Sequence, residues 1–188
     1  MLNWQEATIQ ANNIDVHYWR TGVGKPTILC AHGLTDSGRC WSLLAQQLEG
    51  DYDLIMPDAR GHGRSSAPAQ GYRTEDRAAD ALALLDALEI RQVYVLGHSM
   101  GGDSTAMLVA QAPERVRAAV LEDPSFRPDY ADLSPQIADD WKAGLRAEQA
   151  MTHDQLVAYG RRTTPSWDDR VFDAWAEAKL QVDPRVFN

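Results

Sequence analysis

One serine of this chain stands in a setting that could make it a nucleophile. Ser99 is at the centre of the run 97–101, Gly-His-Ser-Met-Gly, which follows the apolar run 93–96 and precedes a helical pattern. A Gly-x-Ser-x-Gly sequence between a strand and a helix forms a tight, strained turn that exposes the serine hydroxyl. Glycine at both flanking positions avoids the collisions that a side chain would cause there. The pattern predicts that Ser99 attacks a carbonyl carbon and forms an acyl-enzyme.

The elements that must position this serine alternate between strands and helices. Two early strands form a hairpin, and helical stretches separate the strands that follow. The predicted strands are 7–9, 14–19, 27–31, 54–56, 93–96 and 116–121. Strands that alternate with helices favour an α/β fold with a mostly parallel sheet and helices on both faces. After residue 124 the sequence predicts helices alone, at 136–151, 154–162 and 167–180.

Composition places the chain among acidic globular proteins. Its 188 residues carry a formal charge of −9, from 18 Lys+Arg and 27 Asp+Glu. An acidic surface does not attract phosphate backbones or anionic lipid, so we expect neither nucleic-acid binding nor a membrane-surface role. The sequence shows no signal peptide and no apolar stretch near the ~20 residues of a membrane span, which predicts a cytoplasmic protein. Cys30 and Cys40 have no metal-ligand spacing, and we expect no metal or organic cofactor.

Two further motifs accompany the serine. The run 32–35, His-Gly-Leu-Thr, follows the third predicted strand, and the run 57–65, Pro-Asp-Ala-Arg-Gly-His-Gly-Arg-Ser, follows the fourth. Together with the serine turn, these motifs resemble the α/β-hydrolase superfamily, closely over residues 7–124 and loosely beyond them. The resemblance implies an α/β-hydrolase fold with strands 1–6 of the usual eight. It also implies a core at 1–124 and a helical cap or lid at 125–188.

The resemblance further implies an oxyanion hole made from two backbone amides. It assigns the amides of Leu34 and Met100 to this role. Two pre-aimed donors stabilise the negative charge that develops on the substrate carbonyl oxygen, and losing one such donor typically raises the barrier by ~3 kcal/mol. The run 57–65 is a structural loop in the family. His32 and His62 are predicted to brace their loops by hydrogen bonds rather than to act in catalysis.

The acid and the base of a serine triad are harder to place. Glu122 and Asp123 end the sixth strand, where some branches of the family carry the triad acid; a helix or loop cap is the competing interpretation. The family's catalytic histidine follows an eighth strand, but the sequence predicts six strands and no histidine at that position. His98 is a poor candidate because adjacent side chains diverge on such a turn. His17 and His153 are predicted to be structural or solvated.

Two further β-α units, each of about 30 residues, are therefore expected from outside this sequence. The favoured explanation is that these 188 residues are one part of a longer or cleaved polypeptide. The other part, a second chain, then supplies strands 7–8 and the catalytic histidine. A truncated sequence and a shortened relative without a triad are the alternatives. Without these units the sixth strand is expected to be an open edge, which pairs readily with other chains.

The predicted activity is hydrolysis of a small or medium carboxylic ester or lactone, with water completing the turnover. Hydrolysis of C–C bonds or amides, and perhydrolysis, use the same serine turn, whereas epoxide hydrolases and haloalkane dehalogenases carry aspartate at the nucleophile position. A non-catalytic binding or assembly subunit is the alternative from another class, because this sequence lacks the base. The helical segment carries the candidates for an apolar substrate pocket, which are Phe126, Tyr130, Trp141, Trp167 and Trp175.

Overall fold

Six strands form one sheet in the computed structural model, which describes residues 4–126 and 135–187. The strands are β1 (Gln5–Ala11), β2 (Ile14–Arg20), β3 (Thr27–Ala31), β4 (Asp53–Pro57), β5 (Val93–His98) and β6 (Val116–Glu122). Neighbouring strands follow the order β1-β2-β4-β3-β5-β6. β2 pairs antiparallel with β1 and with β4, whereas β4, β3, β5 and β6 run parallel. The sheet confirms the predicted α/β fold and its mostly parallel pairing.

Helices cover both faces of this sheet, as the sequence predicts. The helices are α1 (Ser42–Leu48), α2 (Thr74–Ala87), α3 (Met100–Gln111), α4 (Pro135–Gln149), α5 (His153–Thr163) and α6 (Phe172–Gln181). Leu29 and Val95 belong to a buried core that the strands share with α2 and α3. Cys30 and Met56 belong to a second core, which includes α1. Because successive side chains of a strand point to opposite faces and both faces are covered, a strand such as β3 is mostly apolar.

Helices α4, α5 and α6 follow the sheet in the chain. Leu145 of α4 and Phe187 near the end of the chain are buried together with Tyr72, and Leu34 from the loop after β3 packs against them. This third core holds the helical segment beside the loop that carries Leu34. The division into a core at 1–124 and a cap at 125–188 stays a prediction.

One helix begins later than the sequence predicts. The pattern predicts a helix at 167–180, but α6 begins at Phe172, after a 3-10 turn at Asp169–Val171. The Arg170 amide donates a hydrogen bond to the side chain of Asp168 (3.0 Å). A local bond of this kind competes with the helical pattern and delays the start of the helix.

β6 forms one edge of the sheet. It pairs with β5 and with no other strand in the described parts of the chain. Val120 of β6 is 59% exposed and Leu121 is 36% exposed. The edge therefore presents apolar side chains together with unpaired backbone groups, a combination that favours pairing with a further strand.

Neither a membrane span nor a metal cluster occurs in the ranges 4–126 and 135–187. No helix there is long and apolar enough to cross a membrane. No group of three or more His, Cys, Asp or Glu side chains there could hold a metal ion. The cytoplasmic location stays a prediction.

Candidate active site

Ser99 lies on a strained turn between β5 and α3. Its φ of 50° and ψ of −118° are values that residues with a side chain rarely adopt. The Ser99 amide donates to the carbonyl oxygen of Glu122 (2.9 Å), which ties the turn to β6. A Cβ on Gly101 would lie 2.1 Å from the Ala31 carbonyl oxygen, and one on Gly97 would lie 2.3 Å from the Gly101 carbonyl oxygen. Both flanking positions therefore require glycine for steric reasons.

Two backbone amides near the serine have no hydrogen-bond acceptor in the described ranges. Met100 is the first residue of α3, so its N–H precedes the helical hydrogen bonds. Leu34 lies in the loop after β3 and lines the same cleft as Ser99. Neither amide donates to any residue of 4–126 or 135–187. Unpaired amides are the kind of donor that an oxyanion hole requires, and the roles of Leu34 and Met100 stay predictions.

Two buried histidines brace the loop that carries Leu34. The Ala59 amide donates to His32 Nε2 (2.9 Å), and His32 Nδ1 donates to the Gly33 carbonyl oxygen (2.8 Å). His62 Nε2 lies 2.6 Å from the Leu34 carbonyl oxygen. Burial, followed by the proximity of His32, lowers the pKa of His62 to about 3, so its ring is neutral at pH 7. These contacts confirm the structural role predicted for both histidines.

Asp58 organises the loop that follows β4. Its carboxylate accepts hydrogen bonds from the amides of Gly38 (2.9 Å) and Arg64 (3.0 Å) and from His17 Nδ1 (3.0 Å). Burial alone would raise the pKa of Asp58, but these hydrogen bonds outweigh burial and lower that pKa below its usual value. His17 also contacts Glu6 through Nε2 (3.2 Å), so its ring is held structurally, as predicted.

A cleft of 440 Å³ opens at Ser99. Its walls come from the loop after β3, from α4, from α6 and from the end of the chain. They consist of Gly33, Leu34, Thr35, Asp36, His98, Ser99, Asp140, Trp141, Gly144, Leu145, Glu148, Lys179 and Phe187. The structure thus places Trp141, one of the predicted substrate-binding residues, in the same cleft as the serine. Its ring meets that of Phe187 edge-on, with 6.2 Å between the ring centroids.

A second cleft, of 760 Å³, adjoins the first and shares Asp36 and His98 with it. Its aromatic lining is Trp4, Trp19, Trp41, Trp167 and Trp175. Two of the predicted substrate-binding tryptophans, Trp167 and Trp175, therefore lie here rather than beside Ser99. The second cleft is thus the more aromatic of the two, whereas the wall of the Ser99 cleft combines polar side chains with Trp141 and Phe187.

The remaining predicted aromatic residues lie apart from both clefts. Phe126 is 71% exposed, and its amide donates to Asp103 Oδ1 (2.7 Å). It lines neither cleft. Tyr130 lies outside the described residues.

The predicted acids and His98 make no hydrogen bond to the Ser99 hydroxyl in the described ranges. Glu122 lines the second cleft, and Asp123 follows it with a φ of 48° and an exposed side chain. His98 lines both clefts. Within the described ranges, Ser99 Oγ has no hydrogen-bond partner. His153, on α5, contacts Asp173 (3.3 Å) and serves the packing of α5 on α6.

Sequence reasoning missed Lys179 and Thr35, which lie in the wall of the Ser99 cleft. Lys179 Nζ donates to Thr35 Oγ1 and lies 5.2 Å from the centroid of the Trp175 ring. The helical spacing of the sequence could have predicted that Lys179 lies on the packed side of its helix. Lys179 follows Trp175 by four positions and Ala176 by three, so it shares the buried side of α6 with them.

Known proteins resemble this chain in both sequence and structure. Lipase LipV from Mycobacterium tuberculosis is 42% identical over 91% of this chain and 64% of the lipase. A 3-hydroxybutyrate-oligomer hydrolase from Cupriavidus necator is 32% identical over 80% of this chain and 54% of that enzyme. A crystal structure of an epoxide hydrolase from Vigna radiata superposes with a TM-score of 0.61 and 28% identity, covering 63% of this chain and 38% of that one.

This chain therefore spans about half to two thirds of the length of those two curated relatives. The family model of the alpha/beta hydrolase fold matches residues 26–152, which include the loop after β3, the loop after β4 and the serine turn. The relatives are hydrolases, and the sheet order and the serine turn agree with the family match. The chain belongs to the α/β-hydrolase fold family.

Proposed function

We propose that this protein is a serine hydrolase that cleaves a small or medium carboxylic ester or lactone. The observation that carries the proposal is the position of Ser99. It lies on a strained turn, at a cleft of 440 Å³ whose wall includes Leu34, and its hydroxyl has no structural partner among the described residues. Strained backbone persists where the surrounding structure holds it, and it is frequent at catalytic nucleophiles.

In the proposed reaction Ser99 Oγ attacks the carbonyl carbon and transfers its proton to a histidine base. The amides of Leu34 and Met100 stabilise the negative charge on the carbonyl oxygen. The tetrahedral species collapses, the C–O bond to the alcohol breaks, and the base returns the proton to the leaving alkoxide. Water then attacks the acyl-enzyme by the same route and releases the carboxylic acid. Glu122 or Asp123 is the proposed acid that orients the base.

The base itself comes from outside the described residues in this proposal. A second polypeptide, or another part of a longer chain, supplies it together with strands 7–8. Two observations support this arrangement: Ser99 Oγ bonds to no histidine of 4–126 or 135–187, and the edge of β6 leaves Val120 59% exposed. A further parallel strand along β6 would cover part of that side chain and would end near the carboxyl edge on which Ser99 lies.

The names of the relatives cover several activities, including a chloroperoxidase and an epoxide hydrolase, and some of the names support ester chemistry. A lipase and an oligomer hydrolase are among them, and Ser99 stands where epoxide hydrolases carry aspartate. A non-catalytic binding subunit is the second candidate, because no base contacts Ser99 within 4–126 or 135–187. Cleavage of C–C bonds or amides, and perhydrolysis, would use the same nucleophile on other substrates.

Labelling with a fluorophosphonate separates the two candidates, because this probe tags a serine only when a base activates it. We would label the chain alone and after co-expression with the part of the M. tuberculosis lipase that it does not match. The proposal predicts an adduct on Ser99 in the co-expressed form, none in the isolated chain, and none in Ser99→Ala. Labelling at another residue would contradict the assignment of the nucleophile. Absence of labelling in both forms would favour the binding subunit.

A further inference from the structure

Lys179 is a buried lysine in the wall of the Ser99 cleft. It lies near the end of α6 and is 7% exposed. Its carbonyl oxygen accepts a hydrogen bond from Gln149 Nε2 (3.2 Å), which ties the end of α6 to α4. Its side chain extends to the loop after β3, where Nζ donates to Thr35 Oγ1. The ammonium group thus contacts the residue that directly follows Leu34, whose amide is the predicted oxyanion donor.

The surroundings of this ammonium group do not neutralise its charge. Its partners are the neutral hydroxyl of Thr35 and the ring of Trp175, whose centroid lies 5.2 Å from Nζ. Three carboxylates line the same cleft, those of Asp36, Asp140 and Glu148. In the described parts of the chain, none of them approaches Nζ within 4.0 Å.

Another buried cation of this protein shows what full compensation looks like. Arg60 is 6% exposed, and both carboxylate oxygens of Asp80 accept hydrogen bonds from its guanidinium group (2.6 and 2.5 Å). A cation taken out of water without such a partner is costly, and proteins retain one where a ligand completes its environment. Lys179 differs from Arg60 in this respect, and it faces a cleft that a ligand can enter.

We propose that Lys179 is an anion subsite of the Ser99 cleft, which binds the carboxylate of an ester or lactone that carries one. The inference rests on the proposed hydrolase function and narrows its substrate class. The carboxylate would take the place beside Nζ that no protein carboxylate occupies. Because Thr35 directly follows Leu34, a short spacer is enough to separate this carboxylate from the carbonyl that reacts with Ser99.

The carboxylates of the cleft restrict the place where a substrate carboxylate can bind. Asp36, Asp140 and Glu148 repel an anion that lies elsewhere in the cleft, so a bound carboxylate is favoured beside Nζ and disfavoured at other places. An acidic ester is thereby oriented as well as bound. This orientation presents one carbonyl to Ser99, as productive attack requires.

A pair of matched esters tests the preference in the catalytically complete protein. Mono-p-nitrophenyl glutarate and p-nitrophenyl pentanoate have acyl chains of equal length and differ in the terminal carboxylate. We expect wild type to favour the glutarate at least tenfold in kcat/KM, and Lys179→Met to remove that preference by lowering kcat/KM for the glutarate at least tenfold more than for the pentanoate. Lys179→Arg should retain part of the preference for the glutarate. Lys25→Met removes an exposed lysine and should leave kcat/KM for both esters unchanged. Equal loss on both esters in Lys179→Met would show a structural tether and overturn the proposal.

A binding measurement separates this proposal from the proposed hydrolase activity. Glutaric acid monoanilide replaces the ester by an amide, and pentananilide is its neutral control. In calorimetric titrations of the 188-residue chain, we expect the acid to bind at least tenfold more tightly than the control, and Lys179→Met to lose this difference. Ser99→Ala should bind the acid as wild type does. Equal binding of the two anilides would overturn the anion subsite, whereas acid-selective binding without any Ser99-dependent turnover would refute the hydrolase activity alone.

Discussion

Glycine has opposite effects on stability at two positions of this chain. Gly101 supports the serine turn, where an added Cβ would lie 2.1 Å from the Ala31 carbonyl oxygen and 2.8 Å from that of His32. Gly144 lies within α4, is exposed, and has nothing within 4 Å of the corresponding position. Gly101 is required because an added Cβ would clash with backbone atoms, which can move only at a large cost in free energy. Gly144 costs helix stability because glycine has a low helix propensity.

Substitution of both positions by alanine gives a matched test. Gly101→Ala forces the added methyl into backbone, so we expect the free energy of unfolding to fall by about 3 kcal/mol, the upper end of overpacking effects. Gly144→Ala should raise it by about 0.8 kcal/mol. Urea unfolding followed by fluorescence measures both values. Similar effects of the two substitutions would contradict the steric account of the turn.

The residues that carry the predicted chemistry could be found from the sequence because their motifs are local. Ser99, His32 and His62 each lie in a short run with fixed spacing, and the structural roles of the two histidines are confirmed by their contacts. Lys179 was missed because its significance depends on a partner 144 positions away, Thr35. Local spacing predicts that a residue is buried, but it does not predict which loop that residue will meet.

At the scale of elements, the loop after β3 depends on the loop after β4. His62 reaches across to the Leu34 carbonyl oxygen, and His32 is fixed by the Ala59 amide. The two rings meet edge-on, with 4.9 Å between their centroids. The predicted oxyanion loop is therefore held by neighbouring structure as well as by hydrogen bonds within the loop. Such support is what a preorganised donor requires.

The neutral state of His62 makes this support sensitive to pH. Its pKa is about 3 in the folded chain and 6.5 when unperturbed, so between these values the unfolded chain binds a proton that the folded chain does not. The free energy of unfolding should therefore fall as the pH is lowered, by about 2 kcal/mol for this group between pH 7.5 and pH 5. Asp58 does not act in this window, because its pKa is lowered from 3.8.

His62→Gln isolates this contribution. The variant should be less stable than wild type at pH 7.5, because the contact of the ring with the Leu34 carbonyl oxygen is lost, but it should lose about 2 kcal/mol less stability between pH 7.5 and pH 5. Urea unfolding at both pH values gives the comparison. An unchanged pH dependence in the variant would show that His62 is not the titrating group.

The sequence predicts elements better than clefts. The alternation of strands with helices predicts a mostly parallel sheet with helices on both faces, which agrees with the structure. Trp141 and Trp175 carry the same prediction, but one lies beside Ser99 and the other in the neighbouring cleft. Their separation depends on how α4 and α6 pack on the sheet. That packing is a tertiary property, so periodicity within one helix does not contain it.

At the scale of the whole molecule, the predicted catalytic machinery is divided. The described residues provide Ser99, the amides of Leu34 and Met100 and a cleft, whereas the proposed base lies elsewhere. The exposed edge of β6 offers a place where a completing segment can pair, and the chain spans 64% of the length of the M. tuberculosis lipase. Completion of the sheet and completion of the active site are therefore one event in the proposed scheme.

The most direct test of Ser99 as the nucleophile is the hydrolysis of p-nitrophenyl butyrate by wild type and by Ser99→Ala. Both proteins are assayed together with the polypeptide that completes the sheet, and unfolding curves check that the variant is folded. We predict that kcat falls at least about a thousandfold in the variant, because removal of a serine nucleophile leaves only binding and oxyanion stabilisation. Unchanged turnover by the folded variant would contradict the central claim.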